Sequence, residues 1–254
     1  MNNAFTEQFL QVAQWLAESE STVVFTGAGI STESGISDFR SPGGVWSQSQ
    51  PVYFDDFVAS ETARAEYWRQ KAAAYDEFAG ALPNVGHEIL AKWESSGQLE
   101  AIVTQNIDEL HQQAGSRRVL ELHGTARKVV CLSCDSSYSV DEATKRYHEL
   151  GAPPPCPLCN GSLKHATVSF GQALPQEVVT QATQLARDAD LFFAIGSSLV
   201  VYPAAGLPQL AAESGGKLVI INRDPTPLDP LADACFHLPI GTTLQQLDTV
   251  LRTC

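Results

Sequence analysis

Four of the six cysteines in the sequence form two Cys-x-x-Cys pairs. Cys131 and Cys134 make the first pair, and Cys156 and Cys159 make the second. Each pair can place two thiolates on one metal ion from a tight turn, and four thiolates are a ligand set of tetrahedral zinc. Because no ligand position is left for water, we expect one structural Zn2+. Redox or accidental pairs are the alternative, but redox Cys-x-x-Cys motifs usually occur singly.

A glycine-rich turn follows a short β-prone run near the start of the chain. The run at 22–26 stops at the segment GAGIS of residues 27–31, an order typical of dinucleotide-binding folds. Gly27 and Gly29 would let backbone N–H groups approach a pyrophosphate at a helix N-terminus, and Ser31 could add a hydroxyl. Thr32 replaces the third glycine of the usual fingerprint, and no acidic residue ends a second strand about 20 residues on. A dehydrogenase is therefore disfavoured.

The elements that must position these residues alternate between helix and strand. Apolar side chains recur at helical spacing from Phe5 to Leu16, and residues 61–78 also have a helical composition. After that segment Pro83 breaks the helix, and Asn84 can cap the next one. Buried parallel strands are predicted at 22–26, 101–104, 190–195 and 217–222. This alternation predicts an α/β fold with a doubly wound, Rossmann-like parallel sheet.

Two segments interrupt the α/β alternation. Residues 127–165 are rich in Cys, Ser and Pro and are predicted to be a smaller inserted zinc-binding module. Residues 38–85 are predicted to be a region of loop and helix. We expect a single domain over residues 1–254. Its large Rossmann-like lobe would comprise about 1–37, 86–126 and 166–254, and its small lobe about 38–85 and 127–165.

Composition excludes several classes of partner. The net charge of −13 gives no basic field for nucleic acid or anionic lipid. No apolar run approaches the roughly 18 residues of a spanning helix, and the first 20 residues lack the apolar core of a signal peptide. We expect a cytoplasmic monomer with no nucleic-acid and no membrane partner.

Seven short motifs lie in order along the chain. They are GAGIS at 27–31, GISDFR at 35–40, TQNID at 104–108, HG at 123–124, FG at 170–171, GSSL at 196–199 and IN at 221–222. The two cysteine pairs follow His123, and the order of the motifs and this spacing are those of the sirtuins. The sequence therefore resembles the sirtuin family, and the resemblance covers nearly the whole chain.

The resemblance implies an activity as well as a fold. Sirtuins remove acyl groups, acetyl or related, from protein lysine side chains, giving nicotinamide, O-acyl-ADP-ribose and deacylated lysine. NAD would be the co-substrate, and acyl-lysine proteins or peptides would be the partners. A sirtuin-fold mono-ADP-ribosyltransferase or NAD hydrolase is the alternative. A non-enzymatic sensor of NAD or ADP-ribose is disfavoured because it would have no need of a base.

The resemblance also assigns residues. It makes His123 the general base, and an imidazole suits the deprotonation of a ribose hydroxyl. Asn106 and Asp108 complete the expected catalytic set at the nicotinamide end. The expected NAD contacts are these two residues and Gly27, Ala28, Gly29, Ser31, Asp38, Phe39, Arg40, Gln105, Gly196, Ser197, Ser198, Asn222 and Arg223. The substrate peptide would add as a strand between 168–171 and 199–201, contacting Val168, Phe170, Gly171 and Val201.

Several positions depart from the family's pattern. Ser37 replaces the usual proline of the cofactor loop, and Gln172 replaces the common glutamate after the FG motif. Members that remove acidic acyl groups carry Tyr-x-x-Arg, whereas the corresponding places here hold Arg69 and Ala72. A succinyl or malonyl preference is therefore not predicted. The segment YWR at 67–69 resembles a branch with weak deacetylase activity, so longer, branched or lipoyl groups stay open.

Overall fold

The computed structural model describes residues 3–38 and 50–253, so the expected NAD contacts Phe39 and Arg40 lie outside the described residues. The strands are β1 Thr22–Thr26, β2 Ala101–Thr104, β3 Val119–Glu121, β4 Gly124–Cys131, β5 Ser137–Ser139, β6 Leu163–Thr167, β7 Leu191–Ile195, β8 Lys217–Ile221 and β9 Ala234–Phe236. The α-helices are α1 Asn3–Glu18, α2 Phe54–Ala59, α3 Glu61–Ala79, α4 Val85–Ser95, α5 Leu110–Gln113, α6 Val140–Leu150, α7 Gln176–Asp188, α8 Gly206–Glu213 and α9 Ile240–Leu251. Short 3-10 helices span Ala28–Ser34 and Asp229–Leu231.

Six parallel strands form the large sheet, in the order β3-β2-β1-β7-β8-β9. Alternate side chains of β1 enter separate cores, because neighbouring residues of a strand point to opposite faces. Val24 packs with α1, α4 and α9 on one face, whereas Val23 and Phe25 pack with α7 and α8 on the other. The predicted doubly wound sheet is confirmed.

The sequence-predicted elements of this lobe are present. The runs at 190–195 and 217–222 form β7 and β8, and the apolar periodicity before Ser19 forms α1. The Asn84 side chain caps α4 by accepting a hydrogen bond from the Gly86 N–H. Among the described residues, no helix combines the length and the apolar character that crossing a membrane requires.

Three antiparallel strands form the small sheet, in the order β5-β4-β6. Helices α2 and α3 share one apolar core with this sheet and α6, in which Phe57, Trp68, Val129 and Leu163 are buried. The Trp68 indole Nε1 donates to the Leu163 carbonyl at 3.0 Å. The helical segment and the cysteine-rich segment therefore pack as one unit beside the large sheet.

Candidate active site

The ends of β1 and β7 meet closely at the middle of the large sheet, where glycines occupy positions 27, 29 and 196. The order of the strands reverses between β1 and β7, and open α/β sheets bind ligands at such a point. The Gly29 N–H donates to the Gly196 carbonyl at 2.8 Å. A Cβ on Gly29 would lie 2.7 Å from the Gly196 Cα, and one on Gly27 would lie 2.8 Å from the Ser197 Cβ. Only glycine allows this approach.

The N–H groups of Gly27 and Gly29 both bond within the fold. The Gly27 N–H donates to the Ile195 carbonyl at 3.0 Å, and the Gly29 N–H donates to the Gly196 carbonyl. The helix that follows is a 3-10 helix of seven residues. Close packing therefore explains why both positions are glycine, and Ala28 between them is half-buried. The approach of backbone N–H groups to a pyrophosphate stays a prediction.

Ser31, Asn106 and Asp108 form a buried hydrogen-bonded cluster at the ends of β1 and β2. The Ser31 hydroxyl donates to Asp108 Oδ2 at 2.7 Å and accepts from Asn106 Nδ2 at 3.1 Å. The second carboxylate oxygen of Asp108 accepts from the Leu110 N–H at 2.9 Å. The cluster therefore holds an amide and a carboxylate in fixed orientations, as recognition of a carboxamide would require.

Two histidines, His87 and His111, pack edge to face in this region, with ring centroids 4.8 Å apart. His87 Nδ1 accepts from the Asn84 N–H at 3.3 Å, so the proton of its neutral ring lies on Nε2. His111 Nε2 lies 2.9 Å from the Thr26 hydroxyl, which itself donates to Thr104. His111 Nε2 is therefore the protonated nitrogen, and its Nδ1 is an acceptor.

His87 Nε2, a donor, and His111 Nδ1, an acceptor, have no hydrogen-bond partner within the described part of the chain. Burial lowers the pKa of His87 to about 4, against the opposing effect of Asp108. Burial, and then the proximity of His87, holds the pKa of His111 well below its usual range. The sequence suggested only structural roles for both residues. The fold links them to the site, because Thr104 Oγ1 also accepts from the Asn106 N–H at 3.0 Å.

His123 lies between the edge strand β3 and strand β4. Its Nδ1 lies 2.9 Å from the Gln105 carbonyl oxygen, which can only accept, so the neutral ring donates from Nδ1 and keeps Nε2 as a base. Burial lowers the pKa of His123 below its usual value, and the bond to Gln105 opposes that shift. The ring is neutral and fixed at neutral pH, as a general base requires.

Gly124 explains why a glycine follows His123. Its φ is +67°, and a Cβ there would lie 2.0 Å from the Ala166 carbonyl oxygen. The close crossing of β4 and β6 continues into a bond from the Val168 N–H to the His123 carbonyl at 2.9 Å. The expected peptide-binding segment therefore begins beside the base.

The expected ribose and adenosine contacts follow β2, β7 and β8. The Gln105 side chain donates to the Ser197 hydroxyl at 2.9 Å, while Ser198 is exposed. The Asn222 side chain donates to the Asp224 carbonyl at 2.7 Å. Arg223 is exposed and forms an ion pair of 3.1 Å with Asp224. Asp38, a further expected NAD contact, is half-buried.

The expected peptide contacts form a partly exposed surface. The Phe170 carbonyl accepts from the Phe54 N–H at 2.9 Å, and its ring lies 5.8 Å from that of Tyr53. Phe170 and Gly171 are exposed, and Val168 and Val201 are half-buried. Phe170 therefore presents an exposed apolar ring beside Tyr53 on this segment.

The four predicted metal ligands converge. The Sγ atoms of Cys131, Cys134, Cys156 and Cys159 all lie within 4.8 Å of one another. Pairwise Sγ distances of 3.4 Å between Cys131 and Cys159 and 3.8 Å between Cys134 and Cys156 approach the tetrahedral edge of about 3.8 Å set by Zn–S bonds. Four sulfur ligands fit zinc, and they leave no ligand position for a reactant. The predicted structural site is confirmed.

Residues 27–203 match the Sir2 family. The chain belongs to the Sir2, or sirtuin, family. An NAD-dependent protein deacetylase of Rhodopseudomonas palustris is 50% identical over 236 residues, covering 92% of this chain and 93% of the relative. A Sir2 structure with a p53 peptide and NAD+ has a TM-score of 0.88 and 39% identity, covering 96% and 98% of the two chains. A Sir2 complex with deacetylated p53 peptide and 3′-O-acetyl-ADP-ribose has a TM-score of 0.89 and 38% identity, covering 95% and 98%.

Some sirtuins have a Tyr-x-x-Arg motif, and at the corresponding positions this Sir2 chain has no buried charged side chain. The Arg69 side chain is 61% exposed and forms an ion pair of 2.7 Å with Glu66. Ala72 is half-buried and uncharged. The neighbouring Tyr67 and Trp68 are buried in the small-lobe core. Arg69 is therefore a surface residue.

Proposed function

We propose that this Sir2 protein removes acyl groups from protein lysine side chains with NAD as co-substrate. The observation that carries the proposal is the fixed, neutral His123 at the same edge of the sheet as the buried Asn106 and Asp108. The relative from Rhodopseudomonas palustris is named as an NAD-dependent protein deacetylase. A base together with a buried amide and carboxylate distinguishes an enzyme from a module that only binds NAD.

Asn106 and Asp108 would hold the nicotinamide end of the co-substrate. NAD supplies a ribose carbon that takes the acyl oxygen as nicotinamide leaves. Ser31 fixes both side chains through its hydroxyl, so neither has to reorganise during the reaction. A carboxylate that accepts from the carboxamide N–H groups would hold the ring in one orientation. We expect this cluster to control both NAD binding and nicotinamide release.

His123 would accept the proton of a ribose hydroxyl at Nε2. The Gln105 carbonyl holds the Nδ1 proton, which fixes the tautomer in which Nε2 is basic. After proton transfer the same carbonyl stabilises the imidazolium, because it accepts from the charged ring. The peptide would lie beside this ring as a strand between 168–171 and 199–201. The four cysteines would be metal-bound thiolates, which fits a reducing cytoplasm.

The test is mass spectrometry of one peptide carrying acetyl, butyryl, succinyl or lipoyl lysine, with and without NAD. We expect NAD-dependent acyl loss with formation of O-acyl-ADP-ribose, and we expect the His123→Ala variant to lose it. His148→Ala is the matched control, because His148 is exposed on α6. NAD cleavage with unchanged peptides, or ADP-ribose on a protein, would instead establish the hydrolase or the transferase. Binding of NAD without turnover would establish a sensor.

A further inference from the structure

Strand β4 departs from regular pairing near its start. It pairs with β6 at Gly124 and again at Val129, with a shift of register in between. Residues 125–128 of β4 therefore lie opposite a single residue of β6, Ala166. A bulge of this kind takes residues out of the ladder and changes the direction of their side chains, and bulges are common beside active sites.

The bulge is bonded to the turn at 107–109, which follows β2 and carries Asp108. The Thr125 hydroxyl donates to Glu109 Oε1 at 2.6 Å and accepts from the Arg127 N–H at 3.0 Å. The Arg127 Nε donates to the Asp108 carbonyl at 3.3 Å. Two side chains of the bulge therefore hold two consecutive residues of the turn.

The turn needs this support because its backbone is strained at Glu109. The φ of Glu109 is +59°, in the left-handed region that few residues other than glycine adopt. Such residues persist only where the surrounding structure holds them, and they cluster at functional sites. The buried Thr125 holds Glu109, and the Ala126 N–H donates to the Ile107 carbonyl at 2.9 Å. The bulge thus supports the turn on both sides of Asp108.

The orientation of Asp108 depends on the backbone of this turn. Its carboxylate accepts from the Ser31 hydroxyl at 2.7 Å and from the Leu110 N–H at 2.9 Å. Those bonds keep their geometry only while the turn keeps its own. Strand β4 begins directly after His123, so the bulge also connects the base to the turn. It therefore sets the position of the Asp108 carboxylate relative to the base.

We infer that Thr125 and Arg127 are positioning residues of the NAD site, which hold the Asp108 turn in the conformation that binds the nicotinamide end of the co-substrate. This inference rests on the proposed deacylase function. Thr125 acts through Glu109, and Arg127 acts through the Asp108 carbonyl. Neither residue belongs to the seven motifs, so a motif search does not find them.

The test compares Thr125→Val, which removes the hydroxyl and keeps the branched shape, with Thr125→Ser, which keeps the hydroxyl. We expect Thr125→Val to raise the KM for NAD by about three- to tenfold, as the loss of a hydrogen bond to a half-exposed carboxylate would produce. The concentration of free nicotinamide that halves the rate should rise by a similar factor, because nicotinamide would bind the same cluster. The KM for an acetyl peptide should stay unchanged, and Thr125→Ser should restore most of the affinity for NAD.

Arg127→Met provides a second variant that leaves the Thr125 hydroxyl in place. It should also raise the KM for NAD and weaken inhibition by nicotinamide. Lys128→Met is the matched control, because Lys128 is the next residue of β4 and is exposed. It should leave both quantities unchanged. Zinc content and urea unfolding of each variant separate a change in the NAD site from a general loss of structure.

The outcomes separate the inference from the function on which it rests. A folded, zinc-loaded Thr125→Val protein with an unchanged KM for NAD would overturn the inference. Equal defects in Thr125→Val and Thr125→Ser would also overturn it, because the hydroxyl would then not be the group responsible. If Thr125→Val does not fold, an unchanged KM for NAD in Arg127→Met would overturn it. Failure of the unmodified protein to remove acetyl groups would instead overturn the proposed function.

Discussion

At the scale of single residues, two opposing effects set the pKa of His123. Its partial burial disfavours the imidazolium, whereas the Gln105 carbonyl favours it by accepting from Nδ1. Burial is the larger influence, so the pKa of His123 lies below the usual 6.5. The ring therefore stays neutral, and able to act as a base, to a lower pH than a free histidine would.

This shift predicts the pH dependence of catalysis. A base must be unprotonated, so kcat/KM should fall as the pH drops through the pKa of His123 in the free enzyme. We expect the midpoint of that acid limb below pH 6.5, measured with an acetyl peptide at limiting concentration between pH 5 and 8. A midpoint at or above 6.5 would contradict the assignment of His123 as the base or the direction of its shift.

Gly124 offers a direct test of the turn after His123. Gly124→Ala should cost about 1 to 2 kcal/mol for the left-handed backbone and about 1 to 3 kcal/mol more for the contact with Ala166. Gly151→Ala is the control, because φ is +63° there and a Cβ would meet no atom within 4 Å. Urea unfolding should therefore show a larger loss of stability at Gly124. Equal losses would show that the close crossing of β4 and β6 is not strained.

The sequence predicts a residue's role where the spacing of residues fixes a local structure. It does not predict roles that depend on contacts between distant segments of the chain. The cysteine spacing predicted the metal site, because each Cys-x-x-Cys turn is a local structure. The packing of Gly27 and Gly29 against Gly196 was not predicted, because Gly196 lies about 170 residues away and no local pattern shows the contact. Nothing in the sequence distinguishes Thr125, and only the fold places its hydroxyl beside the Glu109 carboxylate.

At the scale of elements, the small lobe depends on two turns that carry the cysteines. Cys131 ends β4, and Cys156 adjoins the short bridge between Pro155 and Ser162. The sheet β5-β4-β6 has only three strands, and apart from the metal site it is held by a small apolar core. Metal binding should therefore contribute directly to the folding of this lobe.

Removal of zinc should melt the small lobe and leave the large sheet folded. We expect one zinc per chain, and we expect Cys134→Ser to lose it. Hydrogen exchange should then accelerate in β4, β5 and β6 while β1, β7 and β8 stay protected, because their cores are separate. Cys235→Ser is the control, because Cys235 lies in β9 outside the cluster. Uniform protection in zinc-free protein would contradict a structural role for the metal.

Strand length explains why the edge strands of the large sheet were not predicted. The four predicted strands contain four or five residues each and are buried, except for the exposed Lys217 at the start of β8. The edge strands β3 and β9 have three residues each, too few for a pattern to emerge. The helix expected after the glycine turn is a 3-10 helix, because the loop contacts of Gly27 and Gly29 fix its start.

At the scale of the whole molecule, the fold keeps several buried titratable groups uncharged. Burial lowers the pKa of His87 to about 4 and of His165 to about 3, and it holds that of His111 well below the usual range. Glu121 shifts in the opposite sense, to a pKa of about 7, also because of burial. The three histidines take up protons when the chain unfolds in mild acid, and acidification should therefore favour unfolding.

The direction of each pKa shift determines how stability changes with pH. Each of these histidines has a folded pKa below its unfolded value of about 6.5, so its contribution to stability is complete above pH 6.5 and is lost as the pH falls toward the folded pKa. Glu121 opposes this trend, so single variants isolate each histidine. His111→Gln should make the free energy of unfolding fall less steeply between pH 6 and 5, by about 1 kcal/mol per pH unit in urea titrations. The exposed His148→Gln should leave the slope unchanged. Equal slopes in all three proteins would mean that His111 is already protonated in the folded state, and the tautomer assigned from its bond to Thr26 would then be wrong.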